Sequence, residues 1–115
     1  MKSPEFFIDK ATELITGIDT MLAEPLSIKH KWLYAFNPEG NEEDYGRNVD
    51  KVKTTYYQVQ LMFGEFDNNE PFIESIKDLK PASFEMVDNE KLLSQIKSLV
   101  ELFTNHVREY RMNEF

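Results

Sequence analysis

The order of apolar and polar positions is the most informative feature of this chain. Over residues 3–23, Phe7, Ala11, Leu14, Ile18 and Met21 recur at alternating spacings of four and three, and Ile8, Ile15 and Leu22 widen the stripe. That period matches one face of an α-helix. Ser3 suits an N-cap, Pro4 the first helical position, and Glu5 the positive end of the helix dipole. Pro25 is expected to end the helix.

Residues 42–64 carry the cleanest pattern. Tyr45, Val49, Val52, Tyr56, Val59, Phe63 and Phe66 alternate fours and threes without a miss. The Thr54–Val59 segment has high β propensity, but its period is helical, and period outranks propensity over so long a run. Gly64 is expected to act as the C-cap. A third long helix is predicted over residues 88–112, capped by Asp88 and striped by Leu92, Leu93, Ile96, Leu99, Val100, Phe103, Val107 and Tyr110.

Two shorter helices complete the pattern. Residues 27–36 place Ile28, Trp32, Leu33 and Phe36 on one face, and residues 71–80 place Phe72, Ile73, Ile76 and Leu79 similarly, with Pro71 expected at the first helical position. Asn37-Pro38-Glu39-Gly40-Asn41 and Asp67-Asn68-Asn69-Glu70 read as turns. Phe84 and Val87 are expected to pin the connector over 82–87. The expected fold is all-α: a single domain over 1–115 forming a small antiparallel up-and-down bundle, with three long helices (about 3–23, 42–64 and 88–112) and two short ones (about 27–36 and 71–80).

Composition narrows the function classes. With no cysteine among 115 residues, a disulfide scaffold, a thiolate zinc site and a cysteine nucleophile are excluded. Thirteen Lys and Arg against 21 Asp and Glu leave a net charge of −8, which argues against binding the phosphate backbone of nucleic acids. The apolar run near the start, Phe6-Phe7-Ile8, is too short for a secretory signal, and no stretch has the roughly 18–20 apolar residues of a membrane span, so the expected location is cytoplasmic.

Catalytic and metal motifs are missing. The four glycines match no phosphate-binding loop. The two histidines, His30 and His106, follow Ser27 and Phe103 at the position where a di-iron bundle needs Glu. A calcium loop starting at Asn37 would need Gly at Glu42 and Glu at Asn48. No catalytic residue, metal site or cofactor is therefore assigned.

The remaining signals are acids and aromatics. Glu39, Glu42, Glu43 and Asp44 gather at one turn, and Glu65, Asp67, Glu70 and Glu74 at another. Acids belong at helix starts, and that accounts for about half of them by position. The rest favour encounter with a basic partner. Trp32 and Tyr34 are of the types enriched at protein contacts. The expected function is that of a non-catalytic acidic helical protein that binds another protein, of inhibitor, immunity, antitoxin or adaptor type. Its expected partner-binding residues are Trp32, Tyr34, Glu39, Glu42, Glu43, Asp44, Asp67 and Glu70. If both acid groups open on one end of the bundle they merge into a single acidic face; opposite ends exclude that face. The second reading is a small-molecule-binding bundle, with His106 as general base oriented by Glu101 or Glu109, and with Tyr56, Tyr57 and Tyr110 as further polar groups. A third is a homodimer built on the Tyr45–Phe66 stripe.

Overall fold

A computed structural model describes residues 3–23, 42–67, 69–84 and 87–113, with the side chains of 42–49 and 111–113 left aside. Among the described residues the chain is all helical and contains no strand. The helices are α1 (Pro4–Leu22), α2 (Glu42–Glu65), α3 (Glu70–Leu79) and α4 (Asn89–Asn113). Three are long and one is short. The expected short helix over 27–36 lies outside the described residues.

Local chemistry explains most boundaries. The Ser3 hydroxyl accepts the Phe6 N–H at 3.3 Å, so one unpaired donor of the first turn of α1 is satisfied. The helix closes at Leu22, with Ala23 donating to the Asp19 carbonyl, before Pro25 is reached. Asp88 caps α4 as expected, its carboxylate accepting the Lys91 N–H at 3.0 Å.

Two local expectations are corrected. Gly64 does not cap α2: the helix runs on to Glu65, and no described glycine has a positive φ. The end of α2 is instead satisfied from the side, because the Asn69 amide donates to the Phe63 carbonyl at 2.9 Å. Pro71 is the second residue of α3 rather than the first, since Asn69 occupies the cap position.

The predicted stripes become the core. Phe7, Ala11, Leu14 and Ile18 of α1, Val52, Tyr56, Val59 and Phe63 of α2, and Ile96, Val100, Phe103 and Val107 of α4 are all buried. Phe84 is buried in the connector and Val87 packs partly buried beside the core. Buried hydroxyls are served locally: Thr55 donates to the Lys51 carbonyl and Thr104 to the Val100 carbonyl, each at 2.9 Å. This back-bonding lets polar residues of high β propensity sit in a buried helix face.

Phe103 joins the four helices. Its ring lies 6.2 Å from Phe7, 4.8 Å from Phe63, 5.5 Å from Phe66 just beyond α2, and 5.3 Å from Phe72 of α3. These contacts also set direction. Phe7 meets Phe103 while Asp19 meets Lys97, so α1 and α4 run oppositely. Phe63 meets Phe72 while Tyr56 meets Ile76, so α2 and α3 do too. α1 packs far more closely against α4 than against α2.

Candidate functional site

Of the predicted partner-binding residues, only part falls within the described residues. Trp32, Tyr34 and Glu39 lie outside the described residues. Glu42, Glu43 and Asp44 form the first turn of α2, where the backbone alone is described. Asp67 and Glu70 are exposed in the turn joining α2 to α3. α2 has 24 residues, so its two ends stand about 35 Å apart. α3 begins within a few residues of the far end. The acid groups therefore occupy opposite ends of α2, and a single merged acidic face is not formed.

The residues flanking the turn between α2 and α3 are well packed. Phe66 is buried between Phe7, Phe103 and Tyr110, with ring centroids at 5.1, 5.5 and 5.5 Å. Phe72 anchors the start of α3 against Phe63 and Phe103. The Asn69 amide is bonded to the Phe63 carbonyl, and Asp67, Glu70 and Glu74 are exposed beside this packed aromatic cluster.

The polar groups of the small-molecule reading divide between two places. His106 is half-buried, with its ring 5.8 Å from Phe66 and 5.2 Å from Phe72. Its Nε2 is buried and has no hydrogen-bond partner, so neither Glu101 nor Glu109 orients the imidazole through that nitrogen. Tyr110 packs beside the same Phe66. Tyr56 lies ten residues earlier on α2, about 15 Å along the axis from Phe66. Its hydroxyl is already committed, donating to the Ile76 carbonyl at 2.6 Å. Burial, and secondarily the neighbouring Tyr57, raises the Tyr56 phenol above its ordinary value of 10.0. Tyr56 and His106 thus serve separate parts of the core and do not converge on one ligand.

Clefts border the helices among the described residues. One, of about 290 Å³, lies between the start of α1 and the end of α2 and is lined by Phe6, Lys10, Leu61, Met62 and Glu65. A second, of about 490 Å³, lies further along the same pair, lined by Gly17, Met21, Asp50, Lys51, Thr54 and Thr55. A third, of about 300 Å³, opens between α2 and the segment after α3, where Lys80 stands 5.9 Å from the centre of the Tyr57 ring. Leu61 is 66% exposed and Phe6 39%. Both fall off the apolar stripes of their helices.

Among the described residues no group of three or more His, Asp or Glu is placed to hold a metal ion, and no helix is long and apolar enough to cross a membrane. The chain matches no family model, no curated protein and no solved structure.

Proposed function

We propose that this is a non-catalytic acidic helical protein that binds another protein through a basic surface of that partner, in the manner of an inhibitor, immunity factor, antitoxin or adaptor, and that it acts in the cytoplasm. The helices are read as an up-and-down bundle, consistent with the opposed directions of α1 and α4 and of α2 and α3.

The supporting observation is the turn between α2 and α3. Asp67, Glu70 and Glu74 are exposed there, over a base of buried Phe63, Phe66 and Phe72. Exposed carboxylates raise the rate of encounter with a cationic surface at low ionic strength. The acids at the start of α2 form a separate group and are not needed for this contact.

Affinity capture from the native host tests the reading. The wild type and an Asp67→Asn/Glu70→Gln/Glu74→Gln variant are compared at low and high salt. The expected result is a specific protein retained by the wild type, lost with the variant and weakened by salt, with purified components then reproducing the binding. Capture at background level at low salt, or capture undiminished by the triple variant, refutes the proposal.

A further inference from the structure

We draw no further inference here: the strongest candidate, the cleft of about 300 Å³ that Lys53, Tyr57 and Lys80 line between α2 and the segment after α3, carries nothing, because Asp50 lines it beside the two lysines and nothing in the structure shows what ligand would occupy it.

Discussion

Replacing Phe103 by Ala tests whether one ring holds the helices together. The side chain is 0% exposed and touches rings from α1, α2, α3 and the turn that follows α2. Truncating a buried Phe to Ala ordinarily costs about 3–5 kcal/mol, through lost transfer free energy and the cavity left behind. Four ring neighbours place this site at the upper end, because aromatic pairs contribute about 0.5–1.5 kcal/mol each beyond their buried area. Stabilities of about 0.05–0.15 kcal/mol per residue put the total for such a chain near 6–17 kcal/mol. The substitution therefore removes a quarter or more of the stability and leaves the weaker part of that range close to unfolding. Urea titration followed by helical ellipticity measures the loss by linear extrapolation. Leu102→Ala is the matched control, one residue away and 62% exposed, and should stay within about 0.5 kcal/mol. A loss below about 1.5 kcal/mol for Phe103→Ala, or similar losses for both variants, would show that the ring cluster does not join the helices.

Other outcomes follow from the same contacts. Tyr56→Phe leaves the Ile76 carbonyl buried without its donor and should cost about 1–3 kcal/mol in the same titration. The folded state holds the Tyr56 proton more tightly than the unfolded state, so its contribution is complete below pH 10.0 and is lost as pH rises through the raised folded value. Stability should decline above pH 10.0, and Tyr56→Phe should reduce that decline in melts run from pH 8 to 11. Gly64→Ala should stabilise α2 by about 0.5–1 kcal/mol, since the backbone is helical there and an added Cβ meets nothing within 4 Å. A destabilising effect would restore the capping role that the sequence assigns to Gly64.

Among the described residues, the sequence alone determined the three long helices, the short one after Asn69 and most of the core. Helix formation depends on contacts within about four residues, so the period of Phe7–Ile18 or Val52–Phe66 and the caps at Ser3 and Asp88 could be read directly. The placement of His106 at the edge of the core follows from the same period, because Phe103 and Tyr110 lie one turn away on the same helix. Where two groups depended on different elements, local reasoning stopped. Gly64 looked like a cap until Asn69 reached back to take the Phe63 carbonyl. The acid groups could have merged until the 24-residue length of α2 set them at opposite ends. Tyr56 and His106 could have shared a ligand until each was placed among different rings. α1 packs on α4 in preference to α2. Which apolar faces pair is decided by shape complementarity between side chains far apart in the chain, and no period along one helix encodes it.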